Sequence, residues 1–247
     1  MTALPPPRTD IREERGPGWV LRLGDFRAVL DGVRCDAVIT DPPYSERTHS
    51  GYKAGGWMDG RRHDGAAARE LCYSAWSQQD TQALFDAADA WGAGWIVAMS
   101  DHALVSAYEA VGKERLSFAP IPWVAPGSRV RLQGDGPACW ATWLNVSRPR
   151  TEPWSKWGAL PGAYVYTSDR GGHIGGKPIA LMRALVRDYS RKGDLVCDPC
   201  AGGATTLLAA VTEGRSAIGA EIDPETFEKA VKRLRRGYTQ TFDFGAA

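Results

Sequence analysis

The tetrapeptide Asp41-Pro42-Pro43-Tyr44 places a carboxylate, two prolines and an aromatic ring in four consecutive residues of a 247-residue chain. It follows the apolar run over 37–40, which predicts a strand, and open α/β sheets hold their ligands where strands end. Proline fixes its own φ and keeps the preceding residue extended, so we expect the Asp41 and Pro42 carbonyls to form a rigid pair of acceptors. With Tyr44 as a flat surface beside them, these residues predict a pocket for a planar amine, such as the exocyclic amino group of a nucleobase.

A second motif, Asp198-Pro-Cys-Ala-Gly-Gly-Ala-Thr-Thr206, stands near the other end of the chain. A predicted strand over 194–198 leads into it, a predicted helix over 205–213 follows it, and Glu221 ends the next predicted strand. A glycine turn before a helix, with an acid about 20 residues later, is typical of sites for a ribose-containing cofactor. The simpler alternatives are a glycine turn that only packs helix on strand, and a plain Asp-Pro turn at the first motif.

The elements around the two motifs alternate between strands and helices. This alternation predicts an α/β fold with a mostly parallel, twisted sheet and helices on both faces. From hydrophobic periodicity and helix-start residues we predict strands over 19–23, 35–40, 94–99, 117–124, 138–146, 194–198 and 216–221, and helices over 26–30, 77–91, 102–111, 178–192, 205–213 and 224–235.

A single domain over 18–237 is the simplest division of the chain. Residues 1–17 are proline-rich and charged without periodicity, which predicts a disordered tail, and a second tail is expected over 238–247. The polar stretch over 45–71 is long for a connection between elements, and we interpret it as a lid loop.

The composition narrows the class of protein. The formal net charge is only +1, so any nucleic-acid surface must be local. No apolar run reaches the ~20 residues of a membrane span and the start lacks the order of a signal peptide, so we expect no membrane association and a cytoplasmic location. Five cysteines, an odd number, suit reduced thiols. Cys197 and Cys200 have the spacing of half a metal site without a second pair, so no metal is expected.

The two motifs resemble those of S-adenosylmethionine-dependent DNA amino-methyltransferases, which methylate adenine N6 or cytosine N4. The family's cofactor loop usually reads Asp-Pro-Phe-Ala-Gly-Ser-Gly-Thr-Thr, and this chain departs from it at Cys200, Gly203 and Ala204. The change at Cys200 removes an aromatic packing surface for the cofactor. The tetrapeptide precedes the cofactor loop, as in the circularly permuted β class, so the strand before Asp41 is expected beside the strand that ends at Asp198.

This resemblance, over about residues 19–235, implies a Rossmann-like methyltransferase fold, S-adenosyl-L-methionine as cofactor and double-stranded DNA as partner. Asp41, Pro42, Pro43 and Tyr44 would be catalytic. Three short segments also resemble the family. By this resemblance, Asp25 in the segment 24–25 reaches the adenine of the cofactor, and the segment 173–178 lies beside its methionine end. Glu221 in the segment 219–223 holds its ribose. The implied cofactor-binding residues are Asp25, His173, Lys177, Pro178, Asp198, Pro199, Cys200, Ala201, Gly202, Thr205, Glu221 and Asp223.

The resemblance also implies direct methyl transfer to a base flipped out of the duplex. Serine in place of Asp41 is commoner among the cytosine N4 enzymes, so adenine N6 is the favoured target. Several alternatives stay open: cytosine N4, an RNA substrate, an inactive DNA-binding relative, a dinucleotide oxidoreductase, and a Cys200 nucleophile of the kind that methylates ring carbons. A homodimer and a restriction endonuclease partner are left open as well.

DNA contacts are predicted in two segments, 45–63 within the predicted lid loop and the insertion over 147–172. The β class carries its target-recognition region after the strand over 138–146, and the insertion here, over 147–172, is short. Few side chains can then read base edges, so we predict short or relaxed sequence specificity. The basic cluster over 229–236 is interpreted as the solvated face of the last helix. The side chains predicted to contact DNA are Arg47, Lys53, Arg61, Arg148, Arg150, Trp154 and Lys156.

Overall fold

In the part of the chain that the structure describes, ten strands form one sheet, which is the frame of the fold. The computed structural model describes residues 3–53, 74–110, 114–127, 140–150, 157–167 and 176–237. The strands are β1 (Glu13–Gly16), β2 (Trp19–Leu23), β3 (Ala37–Thr40), β4 (Trp95–Ser100), β5 (Arg115–Ser117), β6 (Ile121–Val124), β7 (Ala141–Pro149), β8 (Tyr164–Val165), β9 (Leu195–Asp198) and β10 (Ser216–Glu221). The helices are α1 (Phe26–Val29), α2 (Glu46–Lys53), α3 (Gln78–Ala90), α4 (Val105–Ala110), α5 (Ile179–Tyr189), α6 (Thr205–Thr212) and α7 (Pro224–Arg236).

Five strands in the middle of the sheet run parallel, in the order β2, β10, β9, β3, β4. At one edge β1 joins β2 antiparallel, and at the other β7 joins β4 antiparallel and carries β5 and β6. β8 pairs parallel with β6 beyond them. Strands from the last third of the chain, β9 and β10, therefore lie between β2 and β3 from its start, which is the predicted permuted arrangement.

Helices cover both faces of this sheet, as predicted. Successive residues of a strand point to opposite faces. Ile39 and Val97 pack with residues of α5, α6 and α7, whereas Val38 and Ile96 pack with residues of α1, α3 and α4. All four residues of β3 are buried, because a central parallel strand with helices on both sides has no solvent face.

The predicted disordered tail is wrong for residues 13–16, which form β1. A turn through Pro17 and Gly18 leads from β1 into β2, and Gly18 has a φ of 78°, a conformation that glycine adopts without steric cost. Arg22 of β2 is buried and pairs with Glu13 at 2.7 Å. The strand ladder and this ion pair order a segment whose composition alone does not indicate structure.

Other predicted boundaries also shift. The first part of the predicted lid loop forms α2, and the rest, 54–71, lies outside the described residues, as does the predicted tail over 238–247. The strand predicted over 117–124 is divided into β5 and β6, and Pro120, which has no N–H for a ladder, stands in the gap. The strand predicted over 138–146 continues as β7 to Pro149, so the start of the predicted recognition insertion belongs to the sheet. Across the described ranges, no helix is long and apolar enough to cross a membrane.

Candidate active site

The carboxyl ends of β3, β9 and β10 meet at one edge of the sheet. Val38 lies opposite Cys197, and Asp198 lies opposite Gly219, so the three strands end nearly in register. Asp41, Asp198 and Glu221, which follow or end these strands, therefore come to the same edge. The predicted adjacency of the strands before Asp41 and at Asp198 is confirmed.

A buried hydrogen bond joins the two sequence motifs. The Thr40 hydroxyl, one residue before Asp41, donates to Asp198 Oδ1 at 2.7 Å, and the Cys200 N–H donates to the same oxygen at 3.1 Å. Burial raises the pKa of Asp198 to about 6; hydrogen bonds from Thr206, Thr40 and Cys200 oppose this shift, and the nearby Asp41 charge adds to it. Because Thr40 and Asp198 are both buried, this bond fixes the positions of the two sequence motifs relative to each other.

Both carboxylate oxygens of Asp41 are engaged. The Tyr44 hydroxyl donates to Oδ1 at 3.1 Å, and the Lys177 ammonium forms an ion pair with Oδ2. The Lys177 Nζ also lies 5.4 Å from the centroid of the Tyr44 ring. Pro42 is buried, whereas Asp41 and Tyr44 are half-buried and reachable from solvent. The sequence predicts a cofactor contact for Lys177, and in the structure its ammonium lies beside the Asp41–Tyr44 tetrapeptide.

Asp101 supports the tetrapeptide from the end of β4, and sequence reasoning missed this role. Its Oδ2 accepts hydrogen bonds from the Ser45 N–H at 3.2 Å and from the Ser45 and Thr48 hydroxyls at 2.5 Å. Its Oδ1 accepts from the Leu104 N–H, within the turn that leads into α4. Burial raises the pKa of Asp101, but these hydrogen bonds outweigh burial and lower it overall. The available signal was its position after a strand whose end meets the same sheet edge.

Backbone contacts shape the cofactor loop. The Ala201 N–H donates to the Ala220 carbonyl at 2.8 Å, which ties the loop to β10. Gly202 and Ala204 both have positive φ, 50° and 58°. Among the described residues, Ala204 is the only one other than glycine whose φ is positive. The family has glycine at the Ala204 position, and a left-handed alanine costs about 1–2 kcal/mol. The departure at Ala204 therefore places strain in the loop.

Arg233 contacts this loop from α7. Its Nη1 donates to the Gly203 carbonyl at 2.8 Å and to the Thr205 hydroxyl at 2.7 Å. The interpretation of the basic cluster as a solvated face is therefore wrong for Arg233. It holds for its neighbour Lys232, which is exposed.

Glu221 and two neighbouring carboxylates line the rest of the edge. Glu221 is buried; burial raises its pKa, and backbone hydrogen bonds, among them one from the Asp223 N–H at 2.8 Å, partly oppose this. Asp223 caps α7 by accepting from the Thr226 N–H at 2.8 Å, and Asp25 caps α1 by accepting from the Arg27 N–H at 2.8 Å. The Gly24 N–H donates to the Glu221 carbonyl at 2.8 Å, which brings Asp25 to this edge.

Cys200 lies among these acids. Burial raises the pKa of its thiol well above the ordinary value, and the charges of Asp198, Glu221 and Asp41 raise it further. A nucleophilic cysteine needs a lowered pKa. This environment therefore argues against the Cys200 nucleophile. Within the described residues, no His, Cys, Asp or Glu side chains form a group that could hold a metal ion.

The remaining site residues divide into three groups. Pro199, Ala201, Gly202 and Thr205 lie in the loop and at the start of α6, and Pro178 is the N-cap of α5. Arg47 is exposed on α2, close behind Tyr44 in the chain. The third group lies outside the described residues or, for Lys53, has an undescribed side chain: Lys53, Arg61, Trp154, Lys156 and His173.

The structure contradicts the predicted DNA contact of Arg148. Its side chain is buried, with the guanidinium 6.0 Å from the Phe118 ring and donating to the Pro149 carbonyl at 3.2 Å. The physical reason is the direction of β7. It runs antiparallel to β4, so its first residues lie near Ser100, at the carboxyl ends of the parallel strands where the candidate site is. Arg148 and Arg150 lie at the amino ends of those strands, on the far side of the sheet from the site.

Comparison with known proteins agrees with this geometry. Residues 123–232 match the family described as DNA methylase. The type II methyltransferase M.HindIII from Haemophilus influenzae is 39% identical over 70 residues, which are 28% of this chain and 23% of that protein. The DNA adenine methyltransferase YhdJ from Escherichia coli is 41% identical over 58 residues, 24% of this chain and 20% of that protein. The chain thus matches these relatives over about a quarter of their length or less.

Solved structures resemble a much larger part of the chain. The S-adenosylmethionine complex of M1.HpyAVI has a TM-score of 0.61 and 18% identity, and the match covers 87% of this chain and 98% of that one. The cytosine-N4-specific PvuII DNA methyltransferase has a TM-score of 0.59 and 16% identity, with 87% and 85% covered. At these identities the likeness shows the fold, which is the predicted Rossmann-like one. Together with the family match, it confirms the resemblance inferred from the motifs.

Proposed function

The motifs, the family match and the fold support an amino-methyltransferase of the N6/N4 family, and from them we propose that this chain transfers a methyl group from S-adenosyl-L-methionine to the exocyclic amino group of a flipped base in double-stranded DNA. One observation carries the proposal. The Thr40–Asp198 hydrogen bond joins the strand before the Asp41 acceptor to the strand that begins the cofactor loop.

The residues at the edge suit the exocyclic amine. Its nitrogen lone pair is delocalised into the base, so the amine is a weak nucleophile. Hydrogen bonds from its two N–H groups to the Asp41 carboxylate and the Pro42 carbonyl favour a pyramidal nitrogen whose lone pair faces the methyl group. Tyr44 stacks on the flipped base. Transfer would be direct, with the nitrogen–carbon bond forming as the sulfur–carbon bond of the cofactor breaks, so positioning and local charge supply the rate. The amine loses its proton after the new bond begins to form, and that proton would pass through the Asp41 carboxylate to solvent.

The cofactor side of the edge fits S-adenosyl-L-methionine. Asp198 and Glu221 are buried carboxylates, and such acceptors suit ribose hydroxyls, an amino group and a sulfonium charge. Gly219 has room for no side chain, because a Cβ there would lie 3.0 Å from the Asp198 carbonyl. The loop can therefore sit close against β10 beside Glu221. When bound, the cofactor supplies an activated methyl group; Asp198, Glu221 and the loop over 198–204 hold and orient it.

Adenine N6 is the proposed target, because the tetrapeptide begins with aspartate rather than serine. The name of YhdJ, an adenine methyltransferase, supports this choice. Short or relaxed sequence specificity stays part of the proposal. Arg148 and Arg150 lie away from the candidate site, so we assign DNA contact to Arg47, which is exposed on α2.

The product identifies the reaction. The chain is incubated with labelled S-adenosyl-L-methionine and double-stranded DNA, single-stranded DNA or RNA, and the methylated nucleoside is identified by mass spectrometry. We expect N6-methyladenine in duplex DNA. N4-methylcytosine would reassign the base, a product only in RNA would reassign the substrate, and no product on any of the three would favour a binding protein without catalysis.

Mapping the modified positions then tests specificity. Genomic DNA methylated by the purified protein is sequenced with a method that detects modified bases. Short or degenerate sites are expected. A single defined site of about six base pairs or more would contradict relaxed specificity, because it requires several side chains at base edges.

A further inference from the structure

Lys177 contacts both chemical groups of the tetrapeptide. Its ammonium pairs with Asp41 Oδ2 and lies 5.4 Å from the centroid of the Tyr44 ring. The exposed fractions of the two paired side chains are small, 15% for Lys177 and 24% for Asp41. A partly buried ion pair of this kind is screened less by water than a surface pair, so it restrains both partners.

The local structure fixes where Lys177 can reach. It directly precedes Pro178, the N-cap of α5, whose φ of −57° is set by its ring. α5 packs against α6 and against β3, and β3 leads into Asp41. The packing of a helix on the central sheet therefore determines the distance between the two charged groups.

We propose that Lys177 is a positioning residue for methyl transfer, which orients the Asp41 carboxylate toward the substrate amine. This inference rests on the proposed function. A carboxylate offers about four lone-pair sites over its two oxygens. The Tyr44 hydroxyl occupies one lone-pair site of Oδ1, and the Lys177 ammonium occupies one lone-pair site of Oδ2. The substrate amine can then donate its hydrogen only to the lone-pair sites that remain, which limits the directions from which it can approach.

The charge of Lys177 also serves this edge. Asp41 shares the edge with the carboxyl groups of Asp198 and Glu221, and the Lys177 ammonium places a positive charge on the Asp41 oxygen that it contacts. Through its position near the Tyr44 ring, Lys177 also restrains the surface proposed to stack on the base.

The test compares two substitutions of Lys177 with a matched control. Lys177→Met keeps the length of the stem and removes the charge, Lys177→Arg keeps the charge, and Lys192→Met makes the same change at an exposed lysine after α5. We expect Lys177→Met to lower kcat about 100-fold, because misplaced reacting groups cost about that much. Lys177→Arg should recover part of this loss and Lys192→Met should leave kcat unchanged.

Two measurements separate positioning from cofactor binding. The dissociation constant of S-adenosyl-L-methionine should change much less than kcat in Lys177→Met, and the partial recovery in Lys177→Arg should appear in kcat. A dissociation constant that weakens as much as kcat falls would overturn the proposal and leave Lys177 as a cofactor ligand.

A cross-linking measurement needs no activity. A water-soluble carbodiimide condenses a paired amine and carboxylate into an amide, and the linked peptides are found by mass spectrometry. A Lys177–Asp41 link is expected in the wild-type chain, and its absence would overturn the inferred pair. If the link forms but the wild-type chain methylates no nucleic acid, the proposed function and the positioning role both fail while the ion pair stands. If the chain methylates and Lys177→Met does so equally well, only the positioning role fails.

Discussion

The tetrapeptide Asp41–Tyr44, proposed to be catalytic, and the proposed cofactor loop over 198–204 occupy the same sheet edge but are held by different kinds of interaction. Side chains hold the tetrapeptide: Lys177 pairs with Asp41, and Asp101 binds the following Ser45. The loop is held mainly through its backbone, by the Ala201–Ala220 hydrogen bond and by close packing on Gly219. Substitutions at the tetrapeptide should therefore change the rate, whereas substitutions at the loop should change cofactor affinity.

The largest effect is expected for Asp41→Ala. Removing the carboxylate takes away the acceptor for the amine, so methyl transfer should fall about 10³-fold, as when a main electrostatic group of an active site is lost. Cofactor affinity, measured by calorimetric titration, should stay near that of the wild-type chain. Asp31→Ala, at an exposed aspartate, is the control. Retention of full activity by Asp41→Ala would refute the catalytic assignment.

Gly219→Ala should act on the loop. A Cβ there would lie 2.9 Å from Leu207 Cδ1 and 3.0 Å from the Asp198 carbonyl, so strand and loop must separate. Such overpacking costs about 1–3 kcal/mol, which should lower the free energy of unfolding in urea and weaken cofactor binding. Gly162→Ala, where a Cβ meets nothing within 4 Å, should do neither. Equal stability of the two variants would show that the loop tolerates displacement.

The pH dependence of cofactor affinity tests the loop further. A cationic cofactor favours the charged form of Asp198, whose pKa is raised to about 6 by burial. Affinity should be constant above that pH and fall about tenfold for each pH unit below it. Glu221, whose pKa is also raised by burial, acts in the same direction. Asp198→Asn should bind more weakly with a flatter profile, and wild-type affinity that is unchanged down to pH 5 would contradict the role of Asp198.

The smallest effect is expected for Arg233→Met. It removes hydrogen bonds to the Gly203 carbonyl and the Thr205 hydroxyl, and a net loss of about 1 kcal/mol corresponds to about fivefold weaker cofactor binding. The rate at saturating cofactor should change little, because both of these hydrogen bonds go to the cofactor loop and the start of α6. Lys232→Met, at its exposed neighbour, is the matched control. A large fall in rate at saturation would mean that loop and tetrapeptide are not separable.

Much of the fold was predictable because the pattern is local. The continuous apolar run of β3 and the helical spacing of the buried apolar residues of α7 are visible in the sequence. Asp223 followed by Pro224 marks the start of α7. The failures depend on distant partners. β1 was predicted as a tail because its order comes from pairing with β2, and Arg148 was assigned to DNA because nothing in its neighbourhood shows which edge of the sheet β7 reaches.

Residue types and spacing alone indicated the chemistry of the site: an acceptor pair with a flat ring, a glycine turn with acids, and the order in which they occur. Those features are short-range, since they depend on the φ limits of proline and glycine and on strand and helix periods. The tertiary structure decided which charges meet. It placed Lys177 on Asp41 and joined Thr40 to Asp198 across 158 positions of chain, because parallel pairing of β3 with β9 brings together groups that no local rule relates.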